Sequence, residues 1–255
     1  MLSLALSVVA MAHISPWKLV WSDEFNRPGR PDPKKWSYEV GYIRNHEVQF
    51  YTQDRPENAR VEGGHLIIEA RKDGFQGHPV SSACLETTGK ANWTYGRLEA
   101  RIKIPTGKGT WPAFWTLGEN ISTEGWPKCG EIDIMENVGF EPENSVFTVH
   151  SSGKDAESHA SSGANIVVPN LWKEFHVYAV EWNKDRIDWF FDGKKVHSYE
   201  RDGATNVKWQ FDKPQYIILN LAIGGDWGGQ QGVDDSIYPS RYEIDYVRVY
   251  QKRAK

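Results

Sequence analysis

Apolar and polar residues alternate in short runs along most of this chain. That is the period of a strand with one face buried and the other wet. Residues 66–70, 96–104, 175–182, 186–191, 216–221 and 242–250 all read this way. Gly and Pro punctuate the gaps, and Asp192-Gly193 is a hairpin signal leading into a further strand over residues 194–199. No long window carries a helical period. No Pro/Ser linker divides the chain, and no internal repeat is visible. The pattern predicts one all-β domain, a β-sandwich or jelly roll of many short strands.

One run departs from simple alternation. Glu131-Ile132-Asp133-Ile134-Met135-Glu136 sets three carboxylates among apolar residues in what should be a buried strand. Acidic side chains are depleted in strands and costly to bury unless they do chemistry or bind a cation. Alternation puts Glu131 and Asp133 on one face and Glu136 on the other. Glu136 rejoins the acidic face only if one residue is looped out as a β-bulge, a device common beside active sites. Paired carboxylates on one face are what glycoside hydrolysis needs: one attacks C1 or activates water, and the other protonates the leaving oxygen. A bulge and two long Glu side chains bring the ~5–5.5 Å separation of a retaining enzyme within reach. The competing readings are a cation site or a charged edge strand. Ile132, Ile134 and Met135 suit a solvated edge poorly.

Composition narrows the field. The 255 residues fit one large β domain and hold 39% hydrophobic residues, enough for a core. A net charge of −4 offers no basic field for nucleic acid or an anionic membrane. Twelve Trp exceed what core packing usually asks for and suit platforms for flat ligands. Residues 1–12 end an apolar run in Ala10-Met11-Ala12 and read as a signal-peptide remnant, too short to span a bilayer. Residues 13–255 are then the domain, and the protein is expected outside the cell, as a monomer. Cys84 and Cys129 make either one bridge or two buried thiols, the latter being the plainer reading.

The acidic run, preceded by Gly125-Trp126-Pro127 and Gly130, resembles the active-site signature of glycoside hydrolase family 16, in its bulged, laminarinase-like form. The resemblance continues through Trp21-Ser22-Asp23-Glu24-Phe25, Asn45-His46-Glu47, Trp111-Pro112-Ala113-Phe114-Trp115, Asn220-Leu221-Ala222-Ile223-Gly224-Gly225 and Asp245-Tyr246-Val247-Arg248, nearly the whole chain after the leader. It implies a concanavalin-like jelly roll of two curved antiparallel sheets with a concave substrate cleft. It implies Glu131 as nucleophile, Asp133 as its helper and Glu136 as acid/base, in retaining endo-hydrolysis of internal β-1,3 bonds in β-glucans such as laminarin. No cofactor is needed for that chemistry.

Trp111 and Trp115 share a strand face, and with Trp126 and Trp227 they are expected to contact sugar. His150 is expected to hydrogen-bond Glu136 or a hydroxyl, and Asn45 and Asn220 to read hydroxyls. Glu24, the Gly64 carbonyl and Asp245 match a structural Ca2+ site of the family. Cys84 departs from the pattern, standing where related laminarinases usually carry Arg. Two alternatives stay open: another polymer such as mixed-linkage β-glucan, agarose, carrageenan or xyloglucan, and a non-catalytic glucan-binding protein. The second would be expected to lack a catalytic glutamate, and both are present.

Overall fold

The alternating runs build two antiparallel sheets packed face to face. The computed structural model describes residues 16–155, 158–203 and 205–253, so the proposed leader lies outside the described residues. The eight-stranded sheet contains β1 (Trp17–Asp23), β4 (Ala59–Glu62), β5 (His65–Ala70), β8 (Gly96–Lys103), β13 (His176–Trp182), β14 (Arg186–Phe191), β15 (Lys194–Glu200) and β17 (Ser240–Lys252). The seven-stranded sheet contains β2 (Ser37–Glu39), β7 (Cys84–Glu86), β9 (Thr110–Gly118), β10 (Glu131–Glu136), β11 (Asn144–Ser152), β12 (His159–Val167) and β16 (Gln215–Ile223). A separate parallel pair, β3 (Gln49–Tyr51) and β6 (Val80–Ser82), belongs to neither sheet.

Each predicted strand lies within one of these elements, with ends moved by a residue or two. The order in the seven-stranded sheet is β12-β11-β10-β9-β16-β7-β2, which puts the acidic strand β10 near its middle. The main core lies between the sheets and takes alternate residues from both: Leu98, Ala100 and Ile102 from β8, and Phe147 and Val149 from β11. A second apolar cluster sits on the opposite face of the seven-stranded sheet. It holds Tyr51, Cys84, Ala113, Trp115, Leu117, Cys129, Tyr216 and Ile218. Strand β16 is therefore buried along its whole length, unlike β11, whose residues alternate. Its neighbours on this second face form the floor on which the site is built. No helix among the described residues is long and apolar enough to cross a membrane.

Candidate active site

Strand β10 pairs regularly at first, with Glu131 opposite His150 and Leu117 and Asp133 opposite Thr148 and Trp115. The register then slips, and Glu136 faces Val146 and Ala113. Ile134 and Met135 are both fully buried in the main core. Two consecutive residues pointing inward mark the bulge, and the apolar side chain of Met135 makes burial on that side favourable. Glu136 is thereby turned to the face of Glu131 and Asp133. The strand is also tied from beneath, where the buried Trp189 indole donates to the Asp133 carbonyl at 2.8 Å.

Each carboxylate has its own partner. Trp126 Nε1 donates to Glu131 Oε2 at 2.7 Å, and Trp111 Nε1 donates to Glu136 Oε1 at 2.9 Å. His150 Nε2 lies 3.2 Å from Asp133 Oδ2, so the expected partner of His150 is corrected: it meets Asp133, not Glu136. The register explains this, because His150 stands directly across from Glu131, next to Asp133 and far along the strand from Glu136. His150 Nδ1 is in turn 2.9 Å from His159 Nε2, and the Trp126 ring packs on His159 at 4.7 Å. Glu131, Trp126, His159, His150 and Asp133 thus form one connected group.

Burial is the main force on the acids. It pushes Glu131 up to about 8, helped by the charge of Asp133, and Glu136 up to about 7 against the opposing Trp111 hydrogen bond. Asp133 is raised well above the carboxylate range by burial and by Glu136. It is also the most enclosed of the three, at 1% exposure. Glu131 and Asp133 lie close enough to share a proton, and burial together with their mutual charge disfavours ionising both at once. Glu131, Asp133 and His150 offer ligand atoms within 4.8 Å of one another, the arrangement that also suits a cation.

The sequence profile described as glycosyl hydrolases family 16 matches residues 46–248. This chain belongs to glycoside hydrolase family 16. A β-glucanase of Rhodothermus marinus is 48% identical over 244 residues, which is 92% of this chain and 85% of that protein. The solved laminarinase of the same organism superposes with a TM-score of 0.86 at 46% identity, covering 93% of this chain and 98% of that one. A variant of SCLam, a non-specific endo-β-1,3(4)-glucanase crystallised with an oligosaccharide at its active site, gives 0.86 at 46% identity over 95% and 97%. The matched segment includes the acidic strand, residues 131–136.

The other expected contacts divide. Trp126 is 51% exposed, and the Trp227 ring meets Trp111 edge-on at 5.6 Å, so these three indoles border the acids. Trp227 belongs to a single helical turn (Gly225–Gly228), pinned by the Asp226 amide donating to the Asn45 carbonyl at 2.9 Å. Gly228 is required there because a Cβ would come within 2.9 Å of Trp111 Cβ.

Trp115 and Asn220 are corrected. Trp115 is only 6% exposed and Asn220 5%. The indole donates to Asn220 Oδ1 at 2.7 Å, and Asn220 donates to the Tyr51 hydroxyl at 3.0 Å, which donates on to Glu47. Asn45 also donates to Glu47, at 3.2 Å. A sheet face reads as a wet cleft from alternation alone, but residues 45–51 fold over this half of it. His159 and Arg44 carry no motif signal, and Glu47 enters the sequence reading only within the Asn45-His46-Glu47 segment of the resemblance. Cys84 and Cys129 are buried free thiols.

Glu24, Gly64 and Asp245 do come to one region of the eight-stranded sheet. Strand β1 pairs with β17 with Asp23 opposite Val247, and His65, next to Gly64, lies 3.8 Å from Asp245. Both carboxylates are engaged by arginine. Arg248 donates to both Glu24 oxygens at 3.0 and 2.7 Å, and Arg101 donates to Asp245 at 2.7 Å. The Arg248 bonds hold Glu24 below its ordinary value. The donor chemistry suits Ca2+, but a cation there competes with two guanidinium groups.

Proposed function

We propose that this protein is a retaining endo-β-1,3-glucanase in which Glu131 attacks, Asp133 tunes and Glu136 transfers the proton. The observation that carries this reading is the bulge at Ile134 and Met135, which sets Glu136 on the face of Glu131 and Asp133. Glu131 forms a bond to C1 of the sugar as the glycosidic C–O bond breaks, and Glu136 gives its proton to the departing oxygen. Glu136, now ionised, takes a proton from water as that water attacks C1 and releases Glu131. Two displacements at one carbon restore the β configuration. Trp126 and Trp111 orient the two carboxylates from opposite ends of the strand.

A neutral polymer fits the electrostatics. Glu39, Glu86, Glu131, Asp133 and Glu136 come from strands of one sheet, and the nearby Arg44 is already paired with Glu39. A sulfated or carboxylated chain would meet like charge there. The R. marinus laminarinase supports β-1,3 bonds as the main target, and the breadth of SCLam supports mixed-linkage β-glucan as a secondary one. Both glutamates are retained, which argues against a purely binding role. The test is a polysaccharide panel with product sizing. Laminarin is expected to yield short oligosaccharides fastest, mixed-linkage glucan more slowly, and carrageenan, agarose and xyloglucan none. Fastest cleavage of a sulfated galactan overturns the reading.

The calcium site at Glu24, the Gly64 carbonyl and Asp245 belongs to this proposal as a structural element, and no step of the reaction passes through it. It predicts that calcium added back after chelation raises Tm by several degrees, as expected for a ligand that binds only the folded state. An unchanged Tm removes the site from the account.

A further inference from the structure

Arg44 lies on the loop between β2 and β3. The next two residues, Asn45 and His46, take left-handed backbone angles with φ of 55° and 51°. That turn lays Arg44 across the floor beside the acidic strand. Its guanidinium carbon sits 5.0 Å from the centroid of the Trp115 ring. Nη2 donates to both oxygens of Glu39, at 2.5 Å to Oε2. The Cys84 thiol meets the same Glu39 oxygen at 3.0 Å. Nη1 is buried and has no hydrogen-bond partner. The Arg44 side chain keeps 22% exposure over an indole that keeps only 6%.

A sugar entering this part of the cleft therefore meets a guanidinium plane and not an indole face. Trp115 stands opposite Asp133 in the β9–β10 register, and its Nε1 reaches Asn220 on β16. The guanidinium is thus one to two strand spacings from Asp133, ~5–10 Å, where a sugar unit other than the one being cleaved must lie. Glu39 neutralises the charge, so the group has no call for an anion. What remains is a rigid, planar donor, held between the Glu39 carboxylate and the Trp115 ring.

We propose that Arg44 is a specificity-determining residue of a subsite beside the acidic strand, where its guanidinium donates to a hydroxyl of a neutral glucan and replaces Trp115 as the contact surface. This rests on the glucanase reading above. A sugar hydroxyl that reaches the guanidinium accepts a charge-assisted hydrogen bond, and losing such a bond weakens binding by about 10- to 100-fold.

The test measures binding without turnover, by titration calorimetry of laminari-oligosaccharides of increasing length against Glu131→Ala. The same series is run on Glu131→Ala carrying Arg44→Gln, and again carrying Arg44→Lys. The expected result is a length-dependent loss. Oligosaccharides long enough to reach Arg44 bind about 10- to 100-fold more weakly to the Gln variant, and shorter ones bind as before. Lys restores only part, because it keeps the charge without the planar fork. Equal Kd values with and without Arg44 overturn the proposal. So does a uniform loss at every length with a lowered Tm, which marks Arg44 as a prop for Trp115 alone; the Lys variant supplies the comparison if Gln fails to fold. Absence of oligosaccharide binding to Glu131→Ala itself overturns the glucanase reading, a result distinguishable from failure at Arg44.

Discussion

Glu131→Ala abolishes laminarin hydrolysis, with a loss of about 10⁴-fold or more in kcat. The size follows from the role, since removing a covalent nucleophile removes the path and not merely one stabilising contact. No neighbour can stand in. Asp133 is one methylene shorter and 1% exposed, and Glu136 lies beyond the bulge with its Oε1 held by Trp111. The fold should tolerate the change. Truncation costs one hydrogen bond to Trp126, itself half exposed, and removes a buried charge. Reducing-sugar release together with a melting curve checks both halves. Near-normal turnover in a folded variant contradicts the assignment.

Glu136→Gln produces the second large effect and splits it between activity and stability. Loss of the proton donor slows polysaccharide cleavage by about 10²- to 10⁴-fold. An aryl β-glucoside whose phenol leaves without help is cleaved with a much smaller deficit in its first step. The stability change has the opposite sign. The folded-state pKa of Glu136, about 7, lies above its ordinary value of 4.5, so the folded protein binds that proton more tightly than the unfolded chain. Its ionisation costs nothing below the lower value, an increasing amount between the two, and the full amount above the higher one. The neutral amide should therefore stabilise the protein by about 1–3 kcal/mol at pH 8 and by almost nothing at pH 4. At roughly 2–4 °C per kcal/mol for a chain of this size, Tm at pH 8 rises by several degrees. A variant that keeps full activity on laminarin, or that melts lower at pH 8, contradicts the role.

Much of this could be read from the residues. Strands with one wet face, such as β8 and β11, announce themselves because burial forces alternation. The bulge was legible too, since three carboxylates can share a face in Glu131-Ile132-Asp133-Ile134-Met135-Glu136 only if the count slips by one. What stayed hidden depends on contacts between residues distant in sequence. Strand β12 alternates small residues, Ala160, Ser162 and Ala164, with exposed ones, so nothing marks His159 as the neighbour of His150. Trp115 follows the cleft alternation faithfully, yet a loop 70 residues earlier lays Arg44 over it. The helical turn at Trp227 is too short to show a period, and it exists because the Asp226 amide finds the Asn45 carbonyl and its glycines admit the Trp111 side chain.

The same loop explains why the two halves of the sheet differ. On the β10–β11–β12 side the acids face outward with indoles and histidines around them. On the β9–β16–β7–β2 side the polar chain from Trp115 through Asn220 and Tyr51 to Glu47 is closed over, leaving the Arg44–Glu39 pair at the surface. The two halves meet at the Trp115–Asp133 pair, and the proposed chemistry and the proposed Arg44 subsite fall on opposite sides of it.

The central claim is that Glu131 forms the covalent bond in a double displacement. A 2-fluoro laminari-oligosaccharide with an activated leaving group slows release of the intermediate, and proteolysis with mass spectrometry then locates the sugar. The account predicts one label per chain, on the peptide containing residues 131–136 and on Glu131 itself, with the β anomer as the first product of laminarin hydrolysis. A label on Asp133 or Glu136, or an α anomer formed without any label, contradicts it.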